Sequence, residues 1–300
     1  MKKHGQRPEG KGRLAIIAGR GALPMNIARA ARAANEEPFI IGLKGEVFDI
    51  SPEFDHAFAS VGDAATILGL LKEKNIGRVI LSGAVNRRPE IADIRSPFRL
   101  LPLFPGIVRA VLSAGDDKLL RAVISVIEKA GCRVVGAQEI VPDLLARTGP
   151  LSAKKPGKAD IQNMEAACAG AIALGRLDVG QGAVAVGGRI VALEGAEGTD
   201  SMLERIAAMR KAGRISKTRK GVLVKLCKPQ QDERVDLPSI GPDTIQNAYL
   251  ANLSGVAVEA GRSFVLDRED VIERADRLGL FVWGIDRTQV DLPPGNGVDP

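Results

Sequence analysis

The chain has 300 residues, of which 45% are hydrophobic and 26% charged, as in a soluble globular protein large enough for two domains. Its net charge of +6 suits an anionic partner, but one Trp and one Tyr are too few to stack the bases of a nucleic acid, and no nucleic-acid partner is predicted. Two histidines leave almost no material for a Ser-His-Asp triad or a histidine-bound metal pair. Any metal is therefore expected to be Mg²⁺ or Mn²⁺ held by oxygen atoms.

The start of the chain and its cysteines indicate a cytoplasmic protein. No apolar stretch approaches the roughly 20 residues of a membrane-spanning helix, and residues 1–11 are basic, without the apolar centre of a secretion signal. The cysteines are odd in number and stand far apart within apolar segments: Cys132, Cys168 and Cys227. This spacing offers no metal or redox pair and predicts buried, reduced thiols.

The first half of the chain alternates short apolar runs with helical patterns. Buried strands are predicted at Leu14–Ala18 and in "PFIIGL", "RVILSG" and "CRVVGA", and helices from Pro24, over 64–74 and in "DDKLLRAVISVIEKAG". One face of the last helix carries Leu119, Leu120, Val123, Ile124 and Ile127. Strands that alternate with helices form parallel sheets through right-handed crossovers. Residues 12–147 are therefore predicted to form a Rossmann-like α/β domain.

The composition changes at residues 148–160, where Gly, Pro, Lys and Ser predict a linker. Beyond it, the predicted elements are a helix over 161–174, a hairpin about Gly187–Gly188, a strand in "GVLVKLC", a second hairpin about Gly261, a helix in "REDVIERADRLG" and a strand in "LFVWG". These elements predict an α+β domain with mixed and antiparallel strands over 161–288. Residues 1–11 and 289–300 are predicted to be flexible tails.

The stretch "GRGALP" follows the first strand and opens the first helix. Amide groups and the helix dipole receive a phosphate at such a place, so Gly19 and Gly21 are candidate substrate-binding residues. Pro24 stands where the third glycine of the dinucleotide fingerprint belongs, which gives NAD no particular support. The alternative is a tight turn before a helix that has proline in its first turn.

Two further stretches are candidate substrate-binding segments. "AVNRRPE" follows the "RVILSG" strand, and its Asn86 and Arg87 suit phosphate oxygens at the carboxyl end of a sheet. "GDDK" precedes the amphipathic helix, where Asp116 and Asp117 either face the substrate or favour the helix dipole. The sequence leaves both interpretations open.

The stretch "EGAEGTD" gathers three carboxylates, and nothing nearby in the sequence neutralises them. Ser201 and Glu204 have the spacing of a capping box for a following helix. That box leaves Glu197, Thr199 and Asp200 unexplained. Either these residues form a solvated turn before a helix, or they hold a cation or the substrate.

A long loop over residues 224–244 holds polar groups of both charges after the "GVLVKLC" strand. Its candidate residues are Lys225, Gln231, Asp232, Arg234 and Asp236. Loops this long and polar are usually functional. Carboxylates for a hard cation and basic groups for phosphate oxygens are what metal-assisted phosphoryl chemistry requires. The alternative is a solvated loop with surface ion pairs.

Four stretches follow one another along the chain: "AIIAGRGALP", "GDDKLLRAVISVIEKAG", "LDVGQGAVAVGGRIVALEGAEGTDSML" and "GVLVKLCKPQQDERVDLPSIGPDTI". Together they resemble the LpxI family, in the family's order, from about Leu14 to Asp286. The resemblance implies a Mg²⁺-dependent hydrolase of lipid A synthesis, a UDP-2,3-diacylglucosamine pyrophosphatase. It implies the products UMP and 2,3-diacylglucosamine 1-phosphate (lipid X), with water attacking the glucosamine-side phosphate.

The resemblance also implies which acids matter. The family's essential aspartate falls first on Asp236 and second on Asp232, because both stand in the matching "QDERVDLP". The expected Mg²⁺ ligands are Asp236 and Asp200. Asp232 or Glu197 is expected as a further ligand or as a group that orients the attacking water.

The remaining expected roles concern the substrate and its surroundings. Lys225 and Arg234 are expected to hold the phosphates, and further substrate-binding candidates in the matching stretches are Gln181, Glu197, Thr199 and Gln231. The family implies a homodimer whose subunits have two domains with the lipid between them. Transient contact with the inner membrane is also expected, because the substrate carries acyl chains and the protein is basic.

Two other classes of function stay open at this point. A nicotinamide-dependent oxidoreductase would use the Rossmann-like half and would bind a dinucleotide. A non-catalytic carrier of a nucleotide sugar or lipid would bind its ligand tightly and would not require a metal.

Overall fold

The computed structural model describes residues 12–47, 49–85 and 116–289, without the side chains of 116–118 and 289. The chain divides into two compact units. The first unit runs to Pro142 and also contains Asp232–Asp236, and the second contains Asp143–Gln231 and the chain from Leu237 onward. Each unit has its own sheet and its own apolar core.

The first unit is built on a parallel sheet. Its strands are β1 (Arg13–Ala18), β2 (Phe39–Leu43), β3 (His56–Ala59), β4 (Ile76–Ser82) and β5 (Arg133–Val134). They lie in the order β3, β2, β1, β4, β5, and Ile16 of β1 pairs with Ile40 on one side and Ile80 on the other. The central strands are apolar and buried, as expected when both faces of a parallel sheet are covered.

The described part of this unit contains three α-helices: α1 (Leu23–Ala33), α2 (Ala64–Glu73) and α3 (Asp116–Lys129). Pro24 lies in the first turn of α1, and the Asp63 carboxylate caps α2 by accepting a hydrogen bond from the Thr66 amide at 3.0 Å. Leu71 of α2 and Ile124 of α3 join the same apolar core as the sheet. The Rossmann-like prediction for the first half is confirmed. The edge strand β3 was missed because two of its four residues are exposed and it lacks an apolar run.

The described residues of the second unit form eight strands. They are β6 (Gly149–Pro150), β7 (Gly182–Val186), β8 (Arg189–Leu193), β9 (Gly221–Lys225), β10 (Ser239–Ile240), β11 (Leu253–Glu259), β12 (Phe264–Val265) and β13 (Phe281–Ile285). Six of them form a mixed sheet in the order β6, β13, β11, β9, β7, β8, and β10 pairs with β12 separately. Strands β9, β11 and β13 are parallel, whereas β7 is antiparallel to both of its neighbours. The predicted α+β architecture with mixed strands is confirmed.

The described residues of the second unit also form four α-helices: α4 (Lys158–Arg176), α5 (Gly198–Lys211), α6 (Pro242–Leu250) and α7 (Arg268–Leu278). Met202 of α5, Ile245 of α6 and Val271 of α7 are buried in one apolar core. Helix α7 ends at Gly279, whose φ of +66° suits a glycine cap. Across the described parts of the chain, no helix has the length and apolar character of a membrane span.

The cysteines are buried free thiols, as predicted. Burial raises the pKa of the Cys168 thiol to about 12. A thiol of this kind is inert at neutral pH, because the thiolate is the reactive form.

One predicted hairpin is confirmed and the other is wrong. Strands β7 and β8 pair about Gly187 and Gly188, which both have positive φ. The hairpin predicted about Gly261 does not form, because both edges of β11 are already occupied by β9 and β13. The chain after β11 instead leaves the sheet, and β12 pairs in parallel with β10.

The segment predicted as a linker, 148–160, is built into the second unit. Its Gly149 and Pro150 form β6 on the edge strand β13. The buried Ser152 hydroxyl accepts a hydrogen bond from the Val282 amide at 2.7 Å. The low apolar content of this segment therefore reflects an edge position. The predicted domain bounds of 12–147 and 161–288 stay a prediction.

Candidate active site

A buried lysine closes strand β9 at its carboxyl end. Lys225 is 6% exposed, and its Nζ donates to the Ser239 carbonyl at 3.1 Å. An ammonium group has three N–H donors, and this carbonyl is its one hydrogen-bond partner among the described residues. A buried ammonium that pairs with no carboxylate of the described residues suits an anionic ligand, since burying a charge is unfavourable unless it is compensated.

A buried glutamate fixes the chain just beyond this lysine. Glu259, at the end of β11, is 2% exposed and accepts a hydrogen bond from the Cys227 amide at 2.9 Å. It also forms ion pairs with Arg262 at 2.8 Å and Arg287 at 3.4 Å. Sequence analysis missed Glu259. A lone acid at the end of the apolar run "GVAVE" is the signal that points to it.

Gln231 closes a turn after β9. Its Oε1 accepts hydrogen bonds from the Lys228 amide at 3.0 Å and from the Cys227 thiol at 3.3 Å. Lys228 itself pairs with Asp178 at 2.8 Å. These contacts give Gln231 a structural part in the turn, beside its predicted part in substrate binding.

Residues 232–236, which we call the strap, belong to the first unit although they follow β9 of the second. Arg234 donates from Nε and Nη2 to the two oxygens of Asp232, at 2.9 and 2.7 Å, and from Nη1 to Glu128 of α3 at 2.9 Å. The Arg234 guanidinium lowers the pKa of the Asp232 carboxyl below its ordinary value. Asp236, the last residue of the strap, is partly buried.

The stretch "EGAEGTD", which we call the acidic turn, folds around a buried glutamate. Glu194 is 7% exposed. Its Oε1 accepts a hydrogen bond from the Thr199 hydroxyl at 2.5 Å, and its Oε2 accepts one from the backbone amide of Gln181 at 3.2 Å. The structure thus brings together Thr199 and Gln181, two of the predicted substrate-binding residues. Glu194 itself was missed, because its burial depends on the pairing of β8 with β7.

The other two acids of the turn lie at the surface. Glu197 pairs with Arg205 at 2.7 Å, so the expectation that nothing nearby neutralises this charge is wrong for Glu197. A hydrogen bond from its own amide, and then the Arg205 guanidinium, lowers the pKa of Glu197. Asp200 is exposed and accepts a hydrogen bond from the side-chain amide of Asn247 at 2.9 Å.

Helix α5 begins three residues earlier than the predicted capping box. It starts at Gly198, and the preceding residue, Glu197, makes no side-chain capping bond. Ser201 and Glu204 therefore lie within the helix, and the predicted box is wrong. The bond between Thr199 and Glu194 holds the first turn in place instead.

A groove of about 620 Å³ opens beside the acidic turn. Leu174, Val179 and Leu193 form its apolar side. Its polar side consists of Glu194, Glu197, Ser201 and Arg205. An apolar wall beside a few convergent polar groups is typical of small-molecule sites.

The glycines of "GRGALP" have structural explanations in the first unit. A Cβ on Gly19 would lie 2.5 Å from the Ala84 carbonyl oxygen, so only glycine allows this close approach of two loops. Gly21 has a φ of +104°. Both residues line a cavity of about 180 Å³, in which Arg20 pairs with the buried Glu46 at 3.4 Å. Neither role excludes substrate binding at this cavity.

The remaining predicted residues are not described in full. Asn86 and Arg87 lie outside the described residues. Asp116 and Asp117 begin α3, but their side chains lie outside the described part.

Carboxylates suited to a divalent cation are present without a preformed cage. Among the described side chains, those of 12–47, 49–85 and 119–288, no three or more His, Cys, Asp or Glu converge as metal ligands. Mg²⁺ usually binds one or two carboxylates together with substrate phosphates and water. Exposed Asp200 and partly buried Asp236 therefore fit Mg²⁺ by donor type.

Comparison with known proteins identifies the family. The model of the LpxI N-terminal domain matches residues 13–144, and that of the LpxI C-terminal domain matches residues 147–283. The chain is 38% identical over 276 residues to the UDP-2,3-diacylglucosamine pyrophosphatase LpxI of Caulobacter vibrioides, covering 91% of this chain and 98% of that protein. A UDP-glucose 4-epimerase of Thermus thermophilus, solved with NAD, aligns over 93% of this chain and 88% of its own at 12% identity, but the TM-score of 0.29 carries no argument. The chain belongs to the LpxI family.

Proposed function

We propose that this chain hydrolyses the pyrophosphate bond of UDP-2,3-diacylglucosamine to UMP and 2,3-diacylglucosamine 1-phosphate in lipid A synthesis. The observation that carries the proposal is the match to a relative of that name along almost the whole of both chains. Such a match supports a shared reaction better than the α/β fold of the first unit, because that kind of fold hosts many unrelated activities.

Lys225 supports phosphate chemistry in the second unit. A pyrophosphate is anionic and kinetically stable, so its catalyst must neutralise the phosphate oxygens and position a water molecule. The buried ammonium of Lys225 has N–H donors beyond the one that binds Ser239. We assign it to a phosphate oxygen of the substrate.

Asp236 is our first choice for the essential acid, and Asp236 and Asp200 are the proposed Mg²⁺ ligands. When bound, Mg²⁺ would neutralise charge on the phosphate oxygens and lower the pKa of a coordinated water. Asp232 is the second choice for the essential acid; both of its oxygens accept hydrogen bonds from Arg234.

Thr199 is assigned to the uncharged part of the substrate. Its hydroxyl proton is donated to Glu194, so Oγ1 can act toward a ligand only as an acceptor. An acceptor suits an N–H or O–H of the acylated sugar, and it does not suit an anionic phosphate oxygen. The apolar side of the neighbouring groove fits the same part of the substrate.

The finer parts of the proposal are attack of water on the glucosamine-side phosphate, a cytoplasmic location with transient inner-membrane contact, and a homodimer. The acyl chains of the substrate belong in a membrane. A chain with a net charge of +6 is attracted to anionic lipid surfaces.

The direct test uses purified protein and UDP-2,3-diacylglucosamine, with Mg²⁺ in one reaction and EDTA in a second. We expect equal amounts of UMP and 2,3-diacylglucosamine 1-phosphate with Mg²⁺, and loss of both with EDTA. Tight binding of the lipid without turnover would contradict the proposal and would favour a carrier.

A further inference from the structure

We infer that Glu128, Arg234 and Asp232 form an anchor that holds the strap on the first unit, and that Arg234 and Asp232 are positioning residues for Asp236. The activity measurements that test this inference rest on the proposed function. The inference assigns to Arg234 a partner on α3 in place of a substrate phosphate.

The guanidinium of Arg234 is already engaged at each of its three nitrogen atoms. Nε and Nη2 bind the two oxygens of Asp232, and Nη1 binds Glu128. A bidentate arginine–carboxylate pair is among the stronger hydrogen-bonded contacts in proteins. To hold a phosphate, Arg234 would have to give up at least part of this arrangement, and two carboxylates beside it would repel the phosphate charge.

Additional contacts fasten the strap to the same unit. The Gln138 side-chain amide donates to the Glu233 carbonyl at 3.1 Å. Val235 packs against the apolar core that contains Ile124 and Ile127 of α3. The strap is therefore held on the first unit by the anchor and also by the apolar packing of Val235. Both sets of contacts involve residues close to Asp236 in the chain.

The connectivity explains why the anchor matters for Asp236. The chain leaves the second unit after Gln231 and re-enters it at Leu237, so five residues form the whole strap. Asp236 lies only two residues beyond Arg234. Release of Arg234 from Glu128 would therefore loosen the backbone that fixes the Asp236 carboxylate, and a small displacement of a catalytic group lowers the rate strongly.

The test compares Glu128→Gln, Arg234→Gln and the double variant, with Glu53→Gln as a matched control. Glu53 forms a similar exposed ion pair with Arg32 at 2.7 Å in the same unit, away from the strap. We expect kcat to fall about threefold to fivefold in Glu128→Gln, because exposed pairs are weak, and about tenfold in Arg234→Gln. KM should stay within twofold, Arg234→Lys should be intermediate, and Glu53→Gln should be unchanged.

The double variant and hydrogen exchange separate an anchor from a phosphate ligand. If these residues form an anchor, the double variant should resemble Arg234→Gln, because Arg234→Gln already removes the contact with Glu128. Amide exchange in a peptide covering 230–238 should also become faster in both single variants and not in Glu53→Gln. A raised KM in Arg234→Gln, with unchanged kcat and unchanged exchange in Glu128→Gln, would overturn the inference.

The inference and the proposed function fail in different ways. Absence of turnover in the unmodified protein would contradict the proposed function alone, and the exchange measurement would still decide whether the anchor exists. Normal turnover in the unmodified protein with equal exchange in all variants would contradict the anchor alone.

Discussion

The strap of the first unit and the acidic turn of the second contain similar residues but use their charges differently. In the strap, the guanidinium of Arg234 binds both Asp232 and, on α3, Glu128. In the acidic turn, Glu197 is the one acid with a cationic partner among the described residues, Arg205, whereas Glu194 accepts hydrogen bonds from a hydroxyl and a backbone amide. Asp200 accepts one from a side-chain amide.

This difference separates acids that hold the fold from acids that are available to a ligand. Asp232 accepts hydrogen bonds from Arg234 at both of its oxygens, so a cation bound there would compete with the guanidinium charge. Asp200 would give up one hydrogen bond with a neutral amide at most. Charge pairing, more than acid content, therefore indicates which carboxylate is free to act.

The largest expected effect tests the two aspartates of the strap against each other. Asp236→Asn should lower kcat roughly a thousandfold, as expected when an essential acid is neutralised, and Asp232→Asn should lower it about tenfold. The measurement is UMP release by both variants, with circular dichroism to verify folding. A greater loss in Asp232→Asn than in Asp236→Asn would reverse our assignment of the essential acid.

A second comparison concerns two lysines near the end of β9. Lys225→Met should lower kcat/KM about a hundredfold, because it removes a buried donor for a phosphate oxygen. Lys228→Met should have a much smaller effect, since Lys228 already pairs with Asp178. The measurement is steady-state kinetics of both variants. Equal losses of kcat/KM in the two variants would contradict the special role of Lys225.

In the acidic turn, the acceptor role of Thr199 predicts a moderate effect. Thr199→Val should raise KM about tenfold, because it removes the acceptor and leaves buried Glu194 without its hydroxyl donor. Thr199→Ser keeps the hydroxyl and should stay within threefold. If the serine variant were as impaired as the valine variant, the hydroxyl would not be the group that matters.

The smallest expected effect is the acid sensitivity of the strap. Arg234 lowers the pKa of Asp232 in the folded state. This pair therefore stabilises the fold at pH values above the ordinary Asp pKa of about 3.9. The contribution is lost as the pH falls through the lowered pKa. Urea unfolding between pH 2.5 and 7 should show unmodified protein more stable than Asp232→Asn above pH 4, with the gap closing in acid. A constant gap would contradict the pairing.

Much of the fold could be predicted because its signals are local. Strands β1, β2 and β4 are continuous apolar runs, and α3 has a clear helical period. The hairpin about Gly261 failed for a non-local reason, since the partners of β11 come from distant parts of the chain. The short strand at 149–150 was missed for a similar reason, because only its pairing with β13 makes it a strand.

The sequence could predict which types of residue form the candidate site, but not which side chains contact one another there. The polar loop and the acidic turn stand out in sequence, and both contain the candidate acids. Sequence spacing could not show that Arg234 binds Glu128, which lies 106 residues away. Nor could it show that Glu194 is buried, because that depends on how β8 pairs with β7.

The decisive measurement is hydrolysis of UDP-2,3-diacylglucosamine in water labelled with oxygen-18, in the presence of Mg²⁺. We expect release of UMP, with the label in 2,3-diacylglucosamine 1-phosphate. Label in UMP would keep the hydrolysis but reverse the side of attack. Absence of turnover would contradict the proposed activity.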